Sequence, residues 1–191
     1  MFERGFKSWC EEVSLQIRRE LKLPPTAPLN PSKFAEILGV RLLFPNQLRD
    51  LPKEVSARLT SVHSDSWSAI TVATGKRPMI IYNPDHSPAR QASDLMHEMA
   101  HILLNHEPSR VFITPKSGAA LRTHDQTQEQ EANWLCGCLL LPREALVAIR
   151  RQGLPEEDAC ARFGVSRDML RYRMNATGVN RQTRNHRSNR R

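Results

Sequence analysis

Apolar residues at Phe2, Phe6, Trp9, Val13, Ile17 and Leu21 recur three and four positions apart, which predicts an amphipathic helix whose stripe packs on the core. Pro24 and Pro25 stop that helix. A shorter helix is expected within "NPSKFAEILGV", where Asn30 can cap, Pro31 suits the first helical position and Gly39 can supply a left-handed stop. The run "VRLLF" that overlaps its end reads as a strand. Residues 68–82, "SAITVATGKRPMIIY", hold two β-prone runs divided by Thr74, Gly75 and Lys76, the pattern of a hairpin. Pro78 argues that its second strand lies at a sheet edge, because proline cannot donate to a ladder.

Ser87 and Pro88 can then cap and open a helix whose residues Leu95, Met96, Met99, Ala100, Ile102, Leu103 and Leu104 are apolar almost all round, so the helix is expected to be buried. Residues 107–127 lack periodicity and contain Pro108, Pro115 and Gly118, which reads as a long loop. A further helix is expected from about Thr127 to Leu141, ending before Pro142. Beyond it, "EEDACARFGVSRDMLRYRM" has the helix, glycine turn, helix layout of a helix-turn-helix. The expected organisation is a main domain over 1–145, a helical subdomain over 146–178 and a basic tail over 179–191.

The chain has 191 residues, 39% hydrophobic and 25% charged, enough to bury a core without disulfide or metal staples. A bound metal would therefore be functional rather than structural. No apolar run of membrane-spanning length is present, and "MFERGFKSWCEE" mixes charge into any signal core, so the reading is soluble, cytoplasmic and without membrane contact. Cys10, Cys136, Cys138 and Cys160 lack paired zinc-ribbon spacing and read as small buried apolar residues. The net charge of +8 owes much to the five arginines in "RQTRNHRSNRR", a solvated tail or a source of weak attraction to phosphate or an acidic partner.

The chemistry concentrates in "DLMHEMAHILLNHE". Residues four apart share a helix face, so His97 and His101 can offer two imidazoles to one ion, with Glu98 beside them as the base that takes a proton from attacking water. By residue frequencies alone, H-E-x-x-H arises in on the order of one chain in a hundred of this length. The apolar helix around it decides the matter, since buried histidines and a glutamate are costly without a partner. A catalytic zinc takes a third protein ligand. In "QTQEQEANWLCGCLLLP", Ala132, Leu135, Cys136, Leu139 and Leu140 define the buried arc, which includes Glu129 and leaves Glu131 just outside, a solvated carboxylate. Glu129 is the expected third ligand. Asn133, one turn further on, can orient a liganding histidine from the second shell of the site. His63, His106 and His124 are further possible ligands or transition-state donors, with an exposed position the plainer reading for each. Tyr82 is a candidate oxyanion donor, and Asp94 either bonds His97 or sits exposed.

These residues resemble the ImmA/IrrE-type zinc metallopeptidases, whose pattern joins H-E-x-x-H to a downstream helix of the form E-x-x-x-N ending in Leu-Leu-x-Pro. Here these are "HEMAH", Glu129 to Asn133, and "LLLP" ending at Pro142. The N-terminal helix, "PSKFAEILGVRLLF", "WSAITV" and "MIIYN" fit as well, and the resemblance covers about residues 8 to 178. It implies an α+β, zincin-like fold with gluzincin ligation: His97, His101 and Glu129 on zinc, Glu98 activating water, and a hairpin strand holding a substrate peptide. Members of the family typically cleave a helix-turn-helix, Xre-like repressor and relieve repression after stress or in mobile elements. Many carry such a domain at their N-terminus; with none preceding the catalytic region here, a separately encoded repressor is the expected partner. The alternative is a DNA-binding regulator that uses "ACARFGVSRDMLRYRM" and the basic tail, with Arg167, Arg171 and Arg173 reaching phosphates or bases.

Overall fold

In the computed structural model, which describes residues 2–48, 67–74, 77–106, 111–113, 120–122 and 125–180, the N-terminal stripe forms helix α1 (Phe6–Glu20). Its deepest face is not the predicted one. Cys10, Ser14 and Arg18, one turn apart, are fully buried, while Phe2, Phe6, Val13, Ile17 and Leu21 pack at the core's margin and Trp9 is 44% exposed. The reason lies in what α1 faces, as the partners of Ser14 and Arg18 described below show.

Helix α2 (Pro31–Ile37) is capped as expected: the Asn30 side chain accepts from the Lys33 N–H, and Gly39 takes the left-handed conformation at φ 67°. It leads into β1 (Arg41–Leu43). Strands β2 (Ala69–Thr74) and β3 (Arg77–Tyr82) pair antiparallel from Ala69 opposite Tyr82 to Thr74 opposite Arg77; the turn at Gly75 and Lys76 lies outside the described residues. β1 joins β3 in parallel, giving the order β1-β3-β2. The expected edge position for the second hairpin strand is therefore corrected: among the described residues β3 is central, with β1 and β2 on either side of it. Pro78 is tolerated because β1 begins only opposite Met79, so the missing N–H falls beyond the end of the parallel ladder.

Helix α3 (Pro88–Leu103) lies on β2 and β3 and packs against α4 (Gln126–Leu140). The stretch expected to be a structureless loop contains β4 (Val111–Ile113) and β5 (Ala120–Arg122), an antiparallel pair too short to produce a readable period. Helices α5 (Arg143–Gln152), α6 (Glu156–Phe163) and α7 (Arg167–Ala176) complete the α+β chain, with α6 and α7 joined through Gly164 at φ 62°. Leu146, Phe163, Leu170 and Val179 belong to the same buried cluster as Met99 and Leu135, so the C-terminal helices share one core with the helix-on-sheet layer. No single helix among the described residues is long and apolar enough to cross a membrane.

α4 is buried from Trp134 onward, and its end creates a demand for hydrogen-bond donors. α1 meets part of it. Ser14 Oγ donates to the Cys138 carbonyl at 2.6 Å, and Arg18 donates to the Leu139 carbonyl at 2.8 Å and to Ala27 at 2.9 Å. From α7, buried Arg173 donates to the Leu141 carbonyl at 3.1 Å and pairs with Glu11, whose other oxygen accepts from the Arg143 N–H. Gly137 makes room for that side chain, since a Cβ there would lie 2.7 Å from Arg173 Cδ. Burial lowers Arg18 to about 10, with Glu11 and Glu144 acting the other way.

Candidate metal centre

Local capping fixes α3 before the site begins. Ser87 caps it, Gln91 donates to the carbonyls of Pro84 and His86, and Asp94 Oδ2 lies 2.7 Å from His86 Nδ1. Asp94 is thus committed to His86, neither of its two expected roles. One turn on, His97 and His101 stand edge to face with ring centroids 4.7 Å apart and their Nε2 atoms 3.1 Å apart.

The third group comes from the first turn of α4. Asp125 caps that helix by accepting from the Thr127 and Gln128 N–H groups, which sets Glu129 facing α3. Its Oε2 lies 3.2 Å from His97 Nε2 and its Oε1 lies 3.6 Å from His101 Nε2. One ligand atom from each of His97, His101 and Glu129 falls within 4.8 Å of the others. For bonds of about 2.0–2.1 Å, a tetrahedral ion separates its ligand atoms by about 3.3 Å, so this donor set fits such an ion in both spacing and chemistry.

Glu98 is 3% exposed and reaches under the sheet, where Thr71 Oγ1 of β2 donates to its Oε2 at 2.5 Å. Thr71 carried no sequence signal: a threonine in a strand is ordinary, and only the packing of β2 on α3 brings it to the glutamate. Tyr82 packs on Phe44 with centroids 4.6 Å apart, and burial raises its phenol above the ordinary value, so it remains a donor at neutral pH.

His106 corrects its expected exposed position. Its side chain is 7% accessible, its Nδ1 lies 2.9 Å from His101 Nδ1, and its Nε2 lies 3.2 Å from Glu131 Oε2. Glu131 accordingly is no solvated carboxylate; it is as accessible as Glu129, at 20% against 19%. Asn133 is exposed on the wall of a 650 Å³ cleft with Ser93, Gln130, Trp134 and Tyr172. His63 and His124 lie outside the described residues. Cys10, Cys136 and Cys138 are buried free thiols and Cys160 is half-buried; burial pushes Cys136 up to about 12.

Two imidazoles and a carboxylate facing one point, beside a buried second carboxylate on the same helix, form an arrangement that a metallopeptidase uses. The sequence matches the Peptidase M78 family model, an IrrE N-terminal-like domain, over residues 35–175, and the chain belongs to that family. A comparison with curated proteins finds no match. Among solved structures, a Mycobacterium tuberculosis transcriptional regulator shares the fold with a TM-score of 0.54 at 15% identity, over 87% of this chain and 46% of that one. The chain thus spans about half the length of that regulator.

Of the three arginines expected to reach DNA, Arg167 and Arg171 have exposed side chains, at 61% and 63%, and Arg173 does not. Arg173 is fully buried against Leu141 and Glu11, which corrects its assignment to a DNA-facing surface. Arg171 lies on Glu156 at 2.9 Å, and Arg167 lies 3.6 Å from Glu157. Residues 181–191 lie outside the described residues.

Proposed function

We propose that the protein is a zinc-dependent endopeptidase of gluzincin type on a zincin-like fold, with His97, His101 and Glu129 as ligands and Glu98 as general base. The observation that carries this reading is the convergence of the three ligand atoms within 4.8 Å beside buried Glu98. Zinc is the ion that best suits two imidazoles, one carboxylate and an open fourth position. When bound, it supplies Lewis acidity that polarises a carbonyl and brings the pKa of water toward neutrality.

The chain's own groups do the rest. Glu98 takes the proton from the attacking water and delivers it to the departing amine, with Thr71 holding the carboxylate oriented between the two transfers. The edge of β2, unpaired among the described residues, can take an extended peptide as an added strand and lay its backbone across the site. That arrangement calls for a protein substrate rather than a small molecule.

The partner favoured here is an Xre-like helix-turn-helix repressor, whose cleavage relieves repression. Family membership supports a protein substrate, and the regulator with the same fold is in keeping with a role in transcription. Co-expression with candidate repressors tests both parts: cleavage by the native chain and none by Glu98→Gln is expected, whereas equal cleavage by the two would remove Glu98 as the base.

A further inference from the structure

The end of α3 returns the chain over its own site. Asn105 adopts φ 52°, a left-handed conformation that asparagine tolerates better than most residues. The N–H of Asn105 bonds to the carbonyl of Ile102 at 3.1 Å, and the N–H of His106 bonds to that of His101 at 3.0 Å. This is the Schellman pair of hydrogen bonds, which brings the residue after the left-handed one back onto the residue five before it. An apolar contact usually fills that place. Here two imidazoles meet instead, 5.0 Å between centroids and nearly perpendicular at 68°.

We propose that His106 and Glu131 form a positioning pair that holds His101 in its metal-binding tautomer and orientation. The inference rests on the zinc-site reading above. If Nε2 of His101 is the ligand atom, its Nδ1 carries the proton and donates to Nδ1 of His106. His106 must then carry its own proton on Nε2, which faces Glu131 Oε2 at 3.2 Å. Each member has one partner with the complementary role, and the chain of bonds ends on a carboxylate. Carboxylates commonly orient liganding histidines directly; here the second imidazole acts as a spacer between them. The pair also ties the end of α3 to α4, so the two helices that supply the ligands are held at the site itself. Neither residue touches the reacting atoms, and both act through His101.

Zinc titration of the full chain against a competing chromophoric chelator tests the pair. His106→Leu keeps bulk but removes the acceptor, and Glu131→Gln replaces a carboxylate by an amide of the same shape. Both should weaken zinc binding, by about 10- to 100-fold for His106→Leu and less for Glu131→Gln. His106→Asn, which returns an acceptor near the place of Nδ1, should recover part of the loss; a purely space-filling role predicts no such rescue. Glu131→Gln should leave the melting temperature of the metal-free chain unchanged, which keeps the test readable if His106→Leu folds poorly. Native zinc affinity in both His106→Leu and Glu131→Gln would overturn the pair while leaving the site intact. A native chain that takes up no zinc would overturn the site and the pair together.

Discussion

At the N-terminal end of α4 the carboxylates of Glu129 and Glu131 face three imidazoles, whereas at its C-terminal end the carbonyls of Cys138, Leu139 and Leu141 face a hydroxyl and two buried guanidiniums. Both ends bury strongly polar groups in one core. The arginine end closes on itself, since Arg18 and Arg173 bring the charge and donors that a helix C-terminus attracts. The histidine end instead aims ligand atoms at a shared point, a geometry that could hold a metal ion. The difference separates polar burial that closes on the fold itself from polar burial whose ligand atoms could hold a metal ion. Arg18 and Arg173 are the more deeply buried set, yet among the described residues they hydrogen-bond to backbone carbonyls, Ser14 and Glu11. Depth of burial alone would have pointed to the wrong end of the helix.

Removing Glu98 gives the largest expected effect and should strike function alone. Glu98→Gln should lower peptide hydrolysis at least about a hundred-fold, the low end of what a general base contributes, with zinc retained and the melting temperature little changed. Arg173→Met is its counterpart at the other end. It strands Glu11 and the Leu141 carbonyl and should cost about 3 kcal/mol, or roughly 10 °C in melting temperature, with zinc per folded chain unchanged. The two ends lie roughly 15 Å apart along the helix, beyond the range at which mutational effects usually couple. Metal loss in folded Arg173→Met would show that they are one unit after all. Thr71→Val keeps the strand but removes the donor to Glu98, so kcat should fall roughly ten-fold with KM little moved; an equal rise in KM would place Thr71 in substrate binding instead.

The smallest expected effect is on alkaline stability. Burial raises Cys136 from 9.0 to about 12, and Cys138 is raised as well, first by its hydrogen bond with Cys10 and then by burial. A thiol held protonated in the fold contributes stability that is fully present below pH 9 and lost as pH climbs from 9 toward the folded value. Arg18, lowered from 12.5 to about 10, acts in the opposite sense, but only above pH 10. Between pH 9 and 10 the unfolding free energy from urea titration should therefore fall, by at most about 1.4 kcal/mol per pH unit for each thiol. Cys136→Ala should flatten part of that slope; an identical slope in the variant would remove Cys136 as a source.

Helical spacing made His97, His101 and Glu129 legible before any coordinates, because a 3.6-residue period converts sequence distance into a shared face. The caps at Asn30 and Ser87 and the left-handed stop at Gly39 were legible for the same local reason. What escaped depends on contacts distant in sequence or on a single backbone angle. The turn at Asn105 brings His106 onto His101, and only the packing of α3 on α4 then supplies Glu131. The burial of Ser14 and Arg18 escaped because hydrophobicity, not the carbonyls at the end of α4, governs a helical-wheel reading. Pro78 misled because the edge rule assumes that both neighbouring strands run its full length, and β1 does not.

The central claim is that the histidine end of α4 is a zinc site built from His97, His101 and Glu129. Zinc content per folded chain after loading and gel filtration, compared between the native protein and Glu129→Ala, tests it most directly. The account predicts about one zinc per native chain, as a single three-ligand site requires, and loss of that zinc in Glu129→Ala. Full occupancy in folded Glu129→Ala, or none in the loaded native chain, would contradict it.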